Sequence, residues 1–133
     1  MKLIPDDIWG ILTVWQEARG EPYIGKVAVA EVIQRRAKLK YSSDGTIAGT
    51  VLKPYQFSGW NTNDPNRILA AKADRLDPLI IECIKAWEEA KGGTNFTNEA
   101  VLYCNLKVCS PAWANKSIVV AEIGNHTFYV PKG

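Results

Sequence analysis

Apolar residues at Ile8, Ile11, Leu12 and Trp15 recur at the three-and-four spacing of an amphipathic helix and predict one with that stripe toward the core. Asp6 and Asp7 stand before the run as N-caps do, and Gly20 with Pro22 marks its far end. Successive helical side chains are turned by ~100°, so Glu17 falls opposite the stripe, beside Gly10, Thr13 and Val14. Such a residue is either an ordinary exposed acid, the commoner case, or an acid lining a cleft whose small neighbours leave room for a ligand.

From Lys26 to Lys40 the pattern changes. Val27, Ala28, Val29, Ala30, Val32, Ile33 and Ala37 make a helix apolar on most sides, which predicts burial at the centre of the fold. Glu31 is the acid on it, spaced to pair with Arg35 one turn on, and Gln34-Arg35-Arg36 reads as the solvated end of that helix. A loop over Tyr41–Gly45 and a short helical turn over Ile47–Leu52 follow. The segment Lys53 to Asn61 then interleaves Tyr55, Phe57 and Trp60 with Gln56, Ser58 and Asn61 around Pro54 and Gly59. That mixture suits the rim of a carbohydrate site, and equally a structured loop pinned by Phe57 and Trp60. Asn63-Asp64-Pro65 caps a modest helix through Ala73, and Asp77-Pro78 opens a clearer one with Leu79, Ile80, Cys83, Ile84 and Trp87 on its apolar face, stopped by Gly92-Gly93. Trp9, Trp15 and Trp87 sit on helical faces and are expected in the core. Ala100–Tyr103 is a candidate strand, and Ile118–Ile123, Gly124-Asn125 and His126–Val130 form a hairpin pattern with a Gly-first turn.

Composition narrows the class. A chain of 133 residues with 47% apolar and 23% charged residues predicts a single globular domain over 1–133. A net charge of +2 permits attraction to a polyanionic wall but gives no basic stripe for nucleic acid, so no nucleic-acid partner is expected. No segment is long enough to span a bilayer, so no stable membrane insertion is expected, and a monomer is. The N-terminus lacks the apolar run of a signal peptide, which predicts synthesis in the cytoplasm without an export signal. Three cysteines, Cys83, Cys104 and Cys109, without C-x-x-C, argue against a disulfide framework; Cys104 and Cys109 could pair, free thiols being the commoner state. With His126 as the single histidine, no metal site and no cofactor are expected.

Four blocks in order carry a resemblance. Glu17-Ala18-Arg19-Gly20-Glu21-Pro22-x-x-Gly25-x-Val27-Ala28-Val29-Ala30 closely resembles the opening signature of the spore-cortex-lytic, germination-type cell-wall hydrolases. Gln56-Phe57-Ser58-x-Trp60, Tyr103-x-Asn105 and Ile123-Gly124-Asn125-His126-x-Phe128 follow, so the likeness spans nearly the whole chain. It implies an α+β, mainly α, lysozyme-like domain, similar to goose-type lysozymes and lytic transglycosylases, with a small β-hairpin beside a glycan cleft. It also implies cleavage of the MurNAc–GlcNAc bond of peptidoglycan glycan strands. On this resemblance Glu17 is the catalytic acid, and Gln56, Phe57, Ser58 and Trp60 form cleft wall. Tyr103 and Asn105 match the pair that holds the sugar beside the acid, and Asn125, His126 and Phe128 match a further family motif, in which His126 is read here as a residue supporting the cleft and its substrate. Relatives have Asn-Arg where this chain has Gln34-Arg35, and the segment Gly93–Ala100 lacks their Asp-Pro-Thr, which suggests an altered loop and altered glycan preference.

The chemistry asks for an acid that keeps its proton near neutrality. Burial and the negative end of a helix dipole both act in that direction on a residue placed like Glu17. A glycosidase normally adds a second carboxylate, whereas a lytic transglycosylase uses the muramyl C6 hydroxyl as nucleophile and leaves a 1,6-anhydro end. Glu21 is either that second carboxylate, in contact with substrate, or a structural acid paired with Arg19 or Arg35 or capping the next helix. Trp113, like Trp60, is a candidate for stacking on sugar rings, and the lone His126 is more often a satisfied structural residue. The readings are therefore a lytic transglycosylase, a hydrolytic muramidase, or a wall-binding module without turnover. Absence of a leader and of wall-binding repeats fits a phage endolysin acting on the wall after release.

Overall fold

The computed structural model describes residues 5–53, 57 and 78–132. Helices α1 (Pro5–Ala18), α2 (Tyr23–Leu39), α3 (Ile47–Val51) and α4 (Pro78–Lys91) precede strand β1 (Leu102–Cys104). A 3-10 turn (Ala112–Lys116) then leads to β2 (Ser117–Ile123) and β3 (His126–Pro131). The sheet is antiparallel with order β1-β3-β2, and Tyr103 opposes Phe128 across β1 and β3. The expected α+β, mainly α, architecture with its terminal hairpin is the one observed. The Asn63–Ala73 helix and the residues Gln56, Ser58 and Trp60 lie outside the described residues. Among those described, no helix is long and apolar enough to cross a membrane.

The all-round apolar pattern of α2 has the predicted consequence. Val27, Val29, Ala30 and Ile33 join α1, α4 and Phe57 in one cluster, while Ala28 and Val32 meet Ala100 and Phe128 of the sheet side in a second. Thus α2 is the shared wall between helices and sheet.

Helix α1 is rotated from its expected orientation by about one residue, or ~100°. Its buried face is Asp7, Gly10, Ile11, Val14 and Ala18, whereas Ile8 is 56% and Trp9 37% exposed, so Trp9 is not a core residue. Trp87 decides the matter. Its indole lies flat against Gly10, where a Cβ would stand 2.1 Å from a ring carbon, and its Nε1 donates to buried Asp7 at 2.8 Å. Lys91 adds an ion pair to Asp7 at 3.0 Å. Asp7 is therefore a buried anchor and not a cap. Asp6 caps a different helix, accepting from the amides of Ile47 and Ala48 at 2.7 and 2.9 Å. Gly10→Ala is expected to destabilise the fold by about 1–3 kcal/mol, because the wholly buried Trp87 has nowhere to retreat; urea unfolding measures it.

Glu31 and Arg35 do not pair with each other. Both turn to the loop after α4 and meet at Thr97. The Glu31 carboxylate accepts from Thr94 Oγ1, Phe96 N, Thr97 N and Thr97 Oγ1 at 2.7–3.0 Å. Arg35 donates to Thr97 Oγ1, the Ala100 carbonyl and Asn95 Oδ1. A buried carboxylate facing two amides and two hydroxyls is fully satisfied without a cation. Gln34 likewise spends its amide on the Trp87 carbonyl at 3.1 Å.

Candidate active site

A cavity of about 820 Å³ opens where the C-terminal end of α1, the C-terminal end of α2 and the β1 side of the sheet converge. Glu17 lines it, partly buried, and is the only acid among the described lining residues. The rotation of α1 explains this placement. Glu17 follows Thr13 and Val14 by one turn, so it lies on the flank of the buried face instead of opposite it. The small residues around it are packed core, yet the acid still reaches a cleft.

Tyr103 and Asn105 stand two residues apart along the extended β1 segment, a spacing that sends both side chains to one side, and both line the cavity. The Tyr103 ring is fixed by its neighbours: Phe57 at 6.3 Å, His126 edge-on at 5.0 Å and Phe128 at 5.7 Å between centroids. Its hydroxyl is buried and faces Glu17. Burial first, then the Glu17 charge, push the phenol well above its ordinary pKa, while Arg36 opposes them. Tyr103 therefore stays protonated as a donor toward the acid. Among the described residues no complete hydrogen bond is made by that oxygen, and Tyr103 and Glu17 are in electrostatic contact.

Arg36 was expected in solvent and is instead 3% exposed, lining the cavity. Its guanidinium lies over the rings of Tyr41 and Phe57, at 5.4 and 5.3 Å, and its Nε donates to the Tyr41 carbonyl at 3.3 Å. Burial lowers its pKa. Nothing in the run Gln34-Arg35-Arg36 distinguishes the buried arginine from its neighbours; only the αL residue Lys40, which turns Tyr41 back onto the helix, creates the pocket for it. Trp113 lines the cavity, edge-on to Tyr129 at 5.2 Å.

Glu21 stands behind His126, outside the described lining of this cavity. Its oxygens accept from the Asn125 amide at 2.7 Å and Asn125 Nδ2 at 2.9 Å, with His126 Nδ1 at 3.4 Å outside hydrogen-bond geometry. It pairs with neither Arg19 nor Arg35, and it lies outside the described lining. The tie accounts for two sequence blocks together. Gly124, at φ +58°, is required because a Cβ there would sit 2.7 Å from a Glu21 oxygen, and Asn125 supplies both donors. His126 lines the cavity and touches Tyr103. Burial pushes its imidazole below the ordinary value, against the pull of Glu21. The segment Gly93–Ala100 contributes nothing to the described lining, so its divergence bears on packing against Glu31 and Arg35 and gives no support to an altered glycan preference. Among the described residues no group of three or more His, Cys, Asp or Glu could hold a metal ion.

A family model described as Cell Wall Hydrolase matches residues 20–129. The chain belongs to the cell wall hydrolase family. Within it, the spore cortex-lytic enzyme of Bacillus cereus is 28% identical over 115 residues, and that of Oceanobacillus iheyensis 29% identical over 119. Each alignment covers 86% of this chain but only 40% and 38% of those relatives, so the chain spans about two fifths of their length. The crystal structure of the catalytic domain of the Bacillus cereus SleB protein superposes with a TM-score of 0.77 at 27% identity, covering 97% of this chain and 93% of that one. The catalytic domain of the germination-specific lytic transglycosylase SleB from Bacillus anthracis gives 0.72 at 28% identity, covering 96% and 97%. The expected family and fold class rest on these matches; the named relatives are spore enzymes, and a phage origin draws nothing from them.

Proposed function

We propose that this cell wall hydrolase cleaves the MurNAc–GlcNAc bond of peptidoglycan as a lytic transglycosylase. The observation that carries the proposal is the convergence of Glu17, Tyr103 and Asn105 on one cavity, with no second acid among the described residues that line it. In the first step the Glu17 carboxyl gives its proton to the glycosidic oxygen as the C1–O bond breaks. The carboxylate then takes the proton of the muramyl C6 hydroxyl as that oxygen bonds to C1, which closes the 1,6-anhydro ring and restores the acid. Tyr103, kept protonated, steadies the Glu17 oxygen between its two roles, and Asn105 holds the sugar. Hydrolysis would call for a carboxylate to activate water, and Glu21 is engaged by Asn125 instead.

Mass spectrometry of muropeptides released from purified peptidoglycan tests this. Anhydro-muramyl ends, lighter than reducing ends by one water, are expected as the main product. Reducing ends alone would overturn the transglycosylase step and leave a muramidase.

A further inference from the structure

The cavity holds two thiols that this cleavage does not use. Cys104 closes β1 and is buried, Cys109 is exposed, both are unbridged, and both line the cavity. The segment between them is a tight turn about the Asn105 carbonyl, which accepts from the amides of Val108 and Cys109 and from Cys109 Sγ, each at 3.0 Å. That turn folds Cys109 back toward the end of β1, so that its thiol, bonded to the carbonyl of the residue after Cys104, faces the same cavity wall as Cys104. Cys104 Sγ is held from behind by the Tyr129 hydroxyl at 3.9 Å. Cys83 belongs to the buried helical cluster and has no part in the arrangement.

We propose that Cys104 and Cys109 are a reversible dithiol–disulfide pair whose closure latches the Asn105 turn at the wall of the cleft. With a low-molecular-weight disulfide such as oxidised glutathione, the Cys109 thiolate attacks one sulfur and releases one glutathione thiolate. The Cys104 thiolate then attacks the Cys109 sulfur of the mixed disulfide and expels the second. The protein gives up two electrons and two protons, and the oxidant becomes two thiols. Exposure of Cys109 makes it the entry point, and the buried position of Cys104 beside it favours an internal bond over a dimer. Partial desolvation of the exposed Cys109 thiol, then the adjacent Cys104, push it up, so closure quickens as the medium turns alkaline. Once bonded, Cys109 Sγ no longer donates to the Asn105 carbonyl, and the turn presenting Asn105 shifts. This effect on cleavage rests on the function proposed above; the closure itself does not.

The test incubates the whole chain with oxidised glutathione at about pH 8.5, where a free thiol titrates. Of the three cysteine thiols, the two of the pair are expected to disappear. The mass should fall by about two units, peptides bearing 104 and 109 should be joined, and dithiothreitol should reverse all of it. Cys109→Ser should keep both remaining thiols. Lysis by the oxidised protein should drop several-fold against its own reduced form and recover on reduction. Persistence of all thiols, a stable glutathione adduct or an intermolecular dimer would overturn the pair, and pairing with unchanged lysis would overturn the latch. A reduced protein without any lysis counts against the cleavage reading, and the thiol count still decides the pair.

Discussion

Glu17→Gln is expected to lower the rate of peptidoglycan lysis by about 10²–10⁴-fold, the range that positioned acid–base groups supply. Glutamine preserves the volume of the side chain and keeps a carbonyl toward the Tyr103 hydroxyl. What it lacks is a transferable proton, so the loss should appear in turnover and not in folding. Circular dichroism and thermal unfolding should be nearly those of the parent, since Glu17 is only partly buried and borders the cavity. Clearing of a peptidoglycan suspension measures the rate. Lysis retained at the parental level would remove Glu17 from the mechanism, whatever the fold.

The largest effect on stability is expected at Glu31. Its carboxylate is 3% exposed and organises the loop after α4 through four hydrogen bonds to side chains and amides. Glu31→Ala leaves the buried Thr97 amide and its hydroxyl without their acceptor, and is expected to cost at least about 3 kcal/mol, since bonds to charged groups contribute ~1.5–3 kcal/mol each. Small domains have about 5–15 kcal/mol in total, so this is a large fraction. Glu31→Gln should lose less, because one oxygen remains to accept while the new amide opposes other donors. Urea unfolding orders the three proteins, and amide exchange at Phe96 and Thr97 should quicken in the same order. Equal stability of all three would show that Glu31 does not hold the loop, leaving it to Arg35 and the Asn98–Val120 bond.

The two acids illustrate what the sequence could and could not reveal. The hairpin, the α2 core helix and the α4 scaffold were legible because each rests on local signals: alternation, an apolar helical surface, a Pro-opened and Gly-closed run. The orientation of α1 was not. Ile8, Ile11, Leu12 and Trp15 obey the helical period as well as the true face does, and the choice is made by Trp87, whose indole needs a glycine to lie on and a carboxylate for its Nε1. A tertiary partner eighty positions away leaves no trace in a helical wheel. Glu31 and Arg35 fail for a similar reason. Their i,i+4 spacing predicts a pair worth ~0.2–0.5 kcal/mol, and a loop offering amides and hydroxyls outbids it.

The site divides along the same line. Glu17, Tyr103, Asn105 and His126 were singled out through family motifs, and all line one cavity. Phe57 joins them, buried beneath Arg36 and Tyr103. Arg36 was missed because a basic run at a helix end looks solvated until the αL turn at Lys40 folds Tyr41 over it. Glu21 shows the reverse: it belongs to the most recognisable block, yet its contacts are those of a structural acid.

The tie between Glu21 and Asn125 joins positions 104 apart in the chain. During synthesis the helices can gather as soon as they leave the ribosome, but the strand wall reaches them only when the β2–β3 hairpin has followed. A polypeptide lacking that hairpin would carry Glu17 on an open helix flank without the strand side of the groove, so the cavity is completed only after the strands have joined the helices.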